Sequence, residues 1–396
     1  MRLVRCSLLG HAAGEGRYHG DPYIISGICS TRYLVYAQQV IDCDIHHVIA
    51  DQADFLSYMD PAQREWFQTR GDLGLPGYPW SHPFGFANDE GLLEPGYAPG
   101  ALERISREAL DAYGADVGIL HANDASTVSL MASPYRAAAF ARAHNDWVRE
   151  QWLDGEPRLR GSILCPAQDP LAAAREIQRA AATDDRFVEV LLCAGSERPY
   201  GEPRYLPIFE AAAECGLQVA IHTSGEGMGI AAPGGGAGAH TFYIEWHTVG
   251  SATSVMSHLV SLICNGIFER LPTLKVMLLE GGVAWLPGLL WRLDTNWRGL
   301  RAEVPWLERR PSEIMRDHVR FSTQPLEHTD GHDSLLFEML EAAGAPDILC
   351  FASDYPHWDW DDPKFVINRL PKAWRAKVMH ENAAAFYGDK LGLVTA

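Results

Sequence analysis

The stretch V-I-D-C-D-I-H-H, residues 40–47, joins three branched apolar residues to two carboxylates and two adjacent imidazoles. Alternate side chains of a strand share one face, so Asp42 and Asp44 point the same way, as do Asp44 and His46. Ionisable groups are costly to bury unless they are paired or bind a metal ion. The stretch therefore predicts a buried strand that delivers polar side chains to a site.

Composition sets the broad class of the protein. A chain of 396 residues, 47% hydrophobic and 21% charged, can bury the core of one large domain. The net charge of −18 argues against nucleic acid and anionic lipid as partners, because both would be repelled. No apolar run reaches the length of a membrane span, and the apolar patch near the N-terminus is too short for a secretory signal. We therefore expect a cytoplasmic protein that acts on a small molecule.

Short apolar runs alternate with helical patterns along the chain. Several runs are almost continuous in Val, Ile and Leu, which is typical of parallel strands buried on both faces. Eight of them are predicted as strands: 39–44, 116–121, 159–165, 187–193, 217–222, 274–280, 318–324 and 347–354. Helices are predicted between them, over 134–153, 170–183, 205–215, 241–270, 284–301 and 333–343.

This alternation is typical of an α/β protein with a (β/α)8 TIM barrel. We predict a single barrel domain over residues 38–390, with residues 1–37 as a poorly ordered extension because they lack periodicity. Long loops are expected after the first strand (71–100) and after the fifth strand (225–240). An open Rossmann-like sheet is the alternative, but no G-x-G-x-x-G follows the first strand.

The carboxyl ends of the predicted strands carry many polar side chains. In a barrel, these ends form the functional face. The residues found there are Asp44, His46, His121, Cys165, Cys193, His222, Glu280, Gln324 and Asp354. Imidazoles and carboxylates on four of these strands would therefore meet at one rim.

Several motifs resemble those of the amidohydrolase superfamily. They are D-C-D-I-H-H at the first strand, A-I-H-T at the fifth, L-L-E-G-G at the sixth, F-A-S-D-Y-P-H-W-D at the eighth, and a closing H-E-N-A-A-A-F-Y-G. The chain is similar to the amidohydrolase-related group that includes aminocarboxymuconate semialdehyde, resorcylate and carboxyvanillate decarboxylases. The resemblance covers residues 40–388.

The resemblance implies one divalent metal ion held by Asp44, His46, His222 and Asp354. The first position departs from the commoner H-x-H pattern, because Asp44 replaces an imidazole. Two imidazoles and two carboxylates suit Zn²⁺, the ion we expect, and also admit Mn²⁺. The fourth strand ends in L-L-C-A-G without the lysine that binuclear relatives carbamylate, so a single ion is expected.

A second departure concerns the sixth strand, which ends in E-G-G where many relatives have H-G-G. Either Glu280 takes an acid–base or orienting role, or His258 reaches the site from the preceding helix. Each residue also has an ordinary interpretation, as a salt-bridge partner for Glu280 and as a packing imidazole for His258. Asp354, Glu280 and His258 are the candidate catalytic residues.

The resemblance leaves three functions open. The first is a hydrolase, in which metal-activated water attacks a carbonyl-type carbon and Asp354 moves the proton. The second is a non-oxidative decarboxylase of an aromatic or muconate-type acid, which would use the same ligands. The third is a barrel that binds without catalysis. The loss of the sixth-strand imidazole favours the hydrolase, and the oligomeric state, a homo-oligomer included, is left open.

Overall fold

The structure is a computed structural model that describes residues 39–77, 101–233 and 236–393. The predicted extension 1–37 and most of the predicted loop 71–100 lie outside these ranges. Eight parallel strands form one sheet in which neighbours follow the chain order. They are β1 (Ile41–His47), β2 (Val117–Ala122), β3 (Leu159–Leu164), β4 (Phe187–Cys193), β5 (Gln218–His222), β6 (Val276–Leu279), β7 (Val319–Ser322) and β8 (Leu349–Cys350).

The last strand returns to the first strand. β8 itself is only two residues long, but the chain beyond it runs beside β1. The amide of Asp354 donates to the carbonyl of Asp44 at 3.0 Å, and the amide of His46 donates to the carbonyl of Tyr355 at 2.7 Å. These bonds complete the ring of strands, so the predicted (β/α)8 barrel is confirmed.

Helices flank the strands. They are α1 (Gln52–Ser57), α2 (Pro61–Arg70), α3 (Leu102–Ile105), α4 (Pro134–Val148), α5 (Pro170–Ala181), α6 (Leu206–Glu214), α7 (Tyr243–Glu245), α8 (Ser251–Cys264), α9 (Ile267–Arg270), α10 (Leu286–Leu300), α11 (Pro311–His318), α12 (Asp333–Ala343), α13 (Pro363–Arg369) and α14 (Asn382–Tyr387). Several begin with proline at a first-turn position, where its missing N–H costs nothing. None of the helices in the described ranges is long and apolar enough to cross a membrane.

The barrel strands are buried on both faces. All seven residues of β1 and all seven of β4 are buried, as their apolar sequences indicate. Four of the six described cysteines, Cys43, Cys165, Cys193 and Cys350, are buried free thiols. The strands therefore lie inside the core. Polar side chains on them require hydrogen-bond partners, because buried polar groups are normally hydrogen-bonded.

Several elements differ from their predicted bounds, and β8, for example, covers Leu349–Cys350 instead of residues 347–354. β1 ends at His47 instead of residue 44, because His46 and His47 pair with His121 and Ala122 of β2. The helix predicted over 241–270 is divided into α7, a π-helical turn at Trp246–Gly250, α8 and α9. The break before α9 lies at Gly266, whose φ of 68° is a left-handed conformation that suits glycine.

Candidate metal centre

Four of the predicted site residues meet at the carboxyl ends of the strands. Asp44 and His46 lie on β1, His222 ends β5, and Asp354 follows β8. All four are buried, and one ligand atom from each lies within 4.8 Å of the others. Nothing else in the described ranges brings three or more such side chains together in this way. The barrel thus gathers residues separated by more than three hundred positions into one site.

The side-chain atoms of these residues that face one another include several without a hydrogen-bond partner. His46 Nε2 lies 3.1 Å from Asp44 Oδ1 and 2.9 Å from Asp354 Oδ1, and His222 Nε2 lies 3.2 Å from Asp44 Oδ2. His46 Nε2, His222 Nε2, Asp44 Oδ2 and Asp354 Oδ2 have no hydrogen-bond partner among the described residues. Buried polar atoms normally have partners, so this set fits one divalent metal ion.

The imidazole of His222 is oriented by its neighbour. Its Nδ1 donates to the carbonyl oxygen of Thr223 at 2.9 Å, which leaves Nε2 with its lone pair toward the carboxylates. A hydrogen bond of this kind fixes the tautomer that a ligating histidine needs. The local sequence I-H-T at the end of β5 therefore supplies both the ligand and the group that orients it.

His121 connects Asp44 to a second buried carboxylate. Its Nδ1 lies 2.7 Å from Asp44 Oδ1, and its Nε2 lies 2.5 Å from Glu189 Oε1. Glu189 also accepts hydrogen bonds from Ser162 Oγ and Tyr387 OH, each at 2.8 Å. Burial alone would lower the pKa of His121, but the two carboxylates outweigh it and raise that pKa to about 9. This network holds Asp44 in place from below.

Two residues of the site have unusual backbone conformations. Glu280 has a φ of 56° and Asp354 a φ of 61°, and both follow a barrel strand directly or within four residues. Among the described non-glycine residues, Asp330 alone shares this left-handed region. Such conformations cost of order 1–3 kcal/mol and cluster at functional sites. The fold therefore maintains strain at these two carboxylates.

His357 supports Asp354 from the pocket side. Its Nδ1 lies 2.5 Å from Asp354 Oδ1, and its Nε2 lies 3.0 Å from Asn123 Oδ1. Its ring lies over that of His46, with centroids 4.4 Å apart. Asp354 thus has one oxygen bound to an imidazole that lines the pocket and one oxygen left for an ion.

Glu280 is brought to the same site. Its Oε2 accepts a hydrogen bond from Thr223 Oγ1 at 3.0 Å and lies 3.4 Å from His222 Nε2, while its Oε1 lies 3.8 Å from His247 Nε2. Burial would raise the pKa of Glu280, but the neighbouring imidazoles of His247, His222 and His357 outweigh burial and lower it to about 2. Glu280 is therefore ionised, and none of the described arginines takes part in these contacts.

A pocket opens above the four residues. Its volume of about 170 Å³ is close to that of a cavity that admits benzene, so one aromatic ring fits. The described lining residues are His46, Pro76, Gly77, Ala122, Asn123, Ser126, Thr127, His222, Thr223, Ser224, Met228, Tyr243, Trp246, Glu280, His357, Trp358 and Asp359.

His258 is not brought to this pocket. On α8, its Nδ1 accepts from the amide of Tyr200 at 3.2 Å and its Nε2 donates to the carbonyl of Ala194 at 2.8 Å. Its ring stacks on that of Tyr200. Burial lowers the pKa of His258 to about 4, so the imidazole is neutral. Both nitrogens are occupied by main-chain bonds, as in a packing imidazole.

The other polar residues of the opening stretch lie outside the ligand group. Asp42 Oδ1 accepts from the amides of Ser353 and Asp44, so it ties the end of β8 to β1. His47 points away from the site, and its Nε2 lies 3.1 Å from His144 Nε2. Of the two carboxylates on β1, the structure places Asp44 in the group that can hold an ion.

The chain belongs to the amidohydrolase family, because the family model described as "Amidohydrolase" matches residues 41–388. Among curated proteins, it is similar to a gamma-resorcylate decarboxylase of Polaromonas sp., with 28% identity over 287 residues that cover 69% of this chain and 83% of the relative.

Solved structures share the fold. One is the 5-carboxyvanillate decarboxylase of Sphingomonas paucimobilis, with a TM-score of 0.62, 22% identity, and coverage of 89% of this chain and 99% of the other. Another is a dihydroxybenzoic acid decarboxylase of Polaromonas sp. with bound manganese and the inhibitor 2-nitroresorcinol. Its TM-score is 0.61 and its identity 20%, with coverage of 90% and 98%.

Sequence reasoning gave no role to His247 or Glu189. Glu189 lies inside the apolar run F-V-E-V-L-L-C, and a lone carboxylate in a strand buried on both faces is a signal that it has a buried partner. His247 follows Tyr243 by four positions in Y-I-E-W-H, a spacing that puts both rings on one helix face. Neither pattern identifies the partner.

Proposed function

We propose that this protein is a metal-dependent, non-oxidative decarboxylase of an aromatic carboxylic acid. The observation that carries the proposal is the set of Asp44, His46, His222 and Asp354 beneath a pocket that fits one aromatic ring. The curated relatives support it, because they are gamma-resorcylate decarboxylases. The hydrolase that we favoured from the sequence is not confirmed by these comparisons, and the decarboxylase alternative is the better supported.

We propose that Asp44, His46, His222 and Asp354 are the ligands of the single divalent ion. Two carboxylates make the set harder than a histidine-rich one, which suits Mn²⁺. The manganese in the dihydroxybenzoic acid decarboxylase structure supports this ion over the Zn²⁺ expected from the sequence. When bound, the ion would hold oxygen atoms of the substrate and stabilise negative charge on them.

Decarboxylation replaces the bond from the ring carbon to the carboxyl carbon with a bond to hydrogen, so a proton must reach that ring carbon. We propose that Asp354 supplies it from a carboxyl oxygen, and that His357 Nδ1, 2.5 Å from Asp354 Oδ1, restores the proton afterwards. Glu280 lines the pocket beside His222 and orients the substrate. Trp246 and Trp358 in the pocket wall exclude water from the ring.

The experiment that tests this function separates carbon dioxide release from hydrolysis. Protein loaded with Mn²⁺ is incubated with 2,6-dihydroxybenzoate and 5-carboxyvanillate, and in parallel with aryl esters and lactones. We expect carbon dioxide and the decarboxylated phenol from the acids, and neither product from the Asp354→Asn variant. Hydrolysis of the esters or lactones without carbon dioxide from any acid would restore the hydrolase. A protein that binds the ion but turns over neither class would support the non-catalytic barrel.

A further inference from the structure

His247 lies between two carboxylates of the pocket wall. It belongs to the π-helical turn Trp246–Gly250, and its Nε2 lies 3.2 Å from Asp359 Oδ2 and 3.8 Å from Glu280 Oε1. Both carboxylates line the pocket. The side chain is 18% exposed, yet Nε2 is buried. His247 Nε2, the nitrogen that lies near both carboxylates, is therefore shielded from solvent.

Aromatic neighbours fix the orientation of this imidazole. Its ring stacks on Tyr243 with centroids 5.4 Å apart and an interplanar angle of 20°. Trp358 lies on another side, 5.9 Å away, and its Nε1 donates to the hydroxyl of Tyr243 at 3.1 Å. The ring of His247 is thus held by two side chains that themselves line the pocket.

The Glu280 carboxylate and the main chain of Asp359 are also held by other contacts. Glu280 Oε2 accepts from Thr223 Oγ1 at 3.0 Å and lies near the candidate ligand His222, so that Oε1 is the oxygen turned to His247. The main chain of Asp359 accepts a hydrogen bond from Gln324 Nε2 at 3.2 Å. His247 therefore joins the β6 side of the pocket to the segment that follows β8.

We propose that His247 is a positioning residue, which holds Glu280 and Asp359 together in the pocket wall and offsets their negative charge. The inference rests on the proposed function, because only a substrate that is itself an anionic carboxylic acid would be repelled by Glu280 and Asp359 as it enters the pocket. Two carboxylate groups close together in one pocket wall disfavour the entry of an anion beside them. A cationic N–H between them removes part of that repulsion and gives each carboxylate a single orientation.

A pair of substitutions separates the N–H of His247 from its ring. His247→Phe keeps the aromatic stack on Tyr243 but removes the N–H donor. His247→Gln keeps an N–H donor but removes the aromatic ring. We expect His247→Phe to lower kcat/KM for the aromatic acid by roughly 10–100-fold, the scale found for residues that orient a site, with a raised KM. His247→Gln should recover most of it. His318 is the last residue of α11 and directly precedes β7, at the opposite end of the barrel, so His318→Gln is the matched control and should be unchanged.

A second measurement does not depend on turnover. Co²⁺ is loaded in place of the native ion, and its visible absorption reports the geometry around it. Because Glu280 contacts both His222 and His247, we expect His247→Phe to alter this spectrum, and we expect the alteration to vanish when Glu280→Gln is present as well. Spectra and kcat/KM that match the wild type in His247→Phe would overturn the proposal. So would equal losses in the Phe and Gln variants together with a lower Tm in both.

The two tests fail in different ways. If the wild type releases no carbon dioxide from aromatic acids, the proposed function is wrong, and the Co²⁺ spectra still decide whether His247 orients Glu280. If the wild type decarboxylates these acids and His247→Phe matches it in both measurements, the function stands and His247 has only a packing role.

Discussion

His46 and His121 at the strand ends and His144 and His258 on the helices are all buried, but their surroundings differ. His46 and His121 face carboxylates, which raise the pKa of both imidazoles despite burial. His144 and His258 face no carboxylate in the described structure, and burial lowers their pKa values to about 3 and about 4. Burial penalises the charged imidazole in all four cases. The partner, and not the depth, therefore distinguishes a site histidine from a packing histidine.

The largest effect is expected from removing a candidate ligand. His222→Ala should lose the bound ion and lower activity by at least about 10³-fold, because an ion stabilises transition-state charge by several kcal/mol. Metal analysis of the purified protein and product release measure the two losses. His258→Ala, equally buried, should keep about one ion per chain. Full activity in a metal-free His222→Ala protein would show that the strand-end histidines differ from the packing histidines in no functional respect.

A smaller effect is expected at the sixth strand. Glu280→Gln keeps the size of the side chain but removes its charge, and we expect a loss of roughly 10²-fold in kcat with the ion retained. His258→Gln is compared with it, because the sequence left these two residues as alternatives. Near-normal kcat with a lower Tm in Glu280→Gln would make Glu280 structural, and a larger kcat loss in His258→Gln would reverse the assignment.

The buried network behind Asp44 should affect metal affinity before it affects chemistry. In Glu189→Gln, His121 loses a charged partner, and we expect the affinity for Mn²⁺ to fall roughly 10–100-fold. Titration of apo protein with Mn²⁺ measures this loss. Tyr387→Phe removes only one hydrogen bond to Glu189 and should change the affinity less. Equal affinities in all three proteins would mean that the network does not orient Asp44.

The last effect concerns stability toward acid and lies outside the metal centre. The pKa of His258 is about 4 in the folded protein and about 6.5 when unfolded, so the unfolded state takes up the proton first as pH falls. The free energy of unfolding should therefore decrease between pH 6.5 and pH 4, by at most about 1.4 kcal/mol per pH unit from this group. Urea unfolding across this range should show a shallower slope for His258→Gln. Parallel slopes would contradict the shifted pKa of His258.

The sequence allowed the strands and their polar ends to be predicted, because apolar runs of parallel strands are local patterns. The strand-end positions of Asp44, His46 and His222 could be predicted for the same reason. The resemblance to the amidohydrolase superfamily then selected these residues, with Asp354, as candidate ligands. The sequence pattern could not show which of His258 and His247 reaches the pocket. Both lie on the helical segment after β5, and the π-helical turn at Trp246–Gly250 changes which faces turn inward. Only the packing shows that His258 meets main-chain atoms and His247 meets carboxylates.

The bonds between β1 and the segment after β8 place the candidate metal centre on the seam of the barrel. Asp44 and Asp354 are 310 positions apart, and the amide of one binds the carbonyl of the other. During synthesis on the ribosome, the candidate ligands on β1 therefore emerge long before Asp354. A nascent chain would hold an incomplete coordination sphere until β8 docks, and such distant pairings form slowly. If this site holds the proposed ion, its loading would be a late event in maturation, coupled to the closure of the barrel.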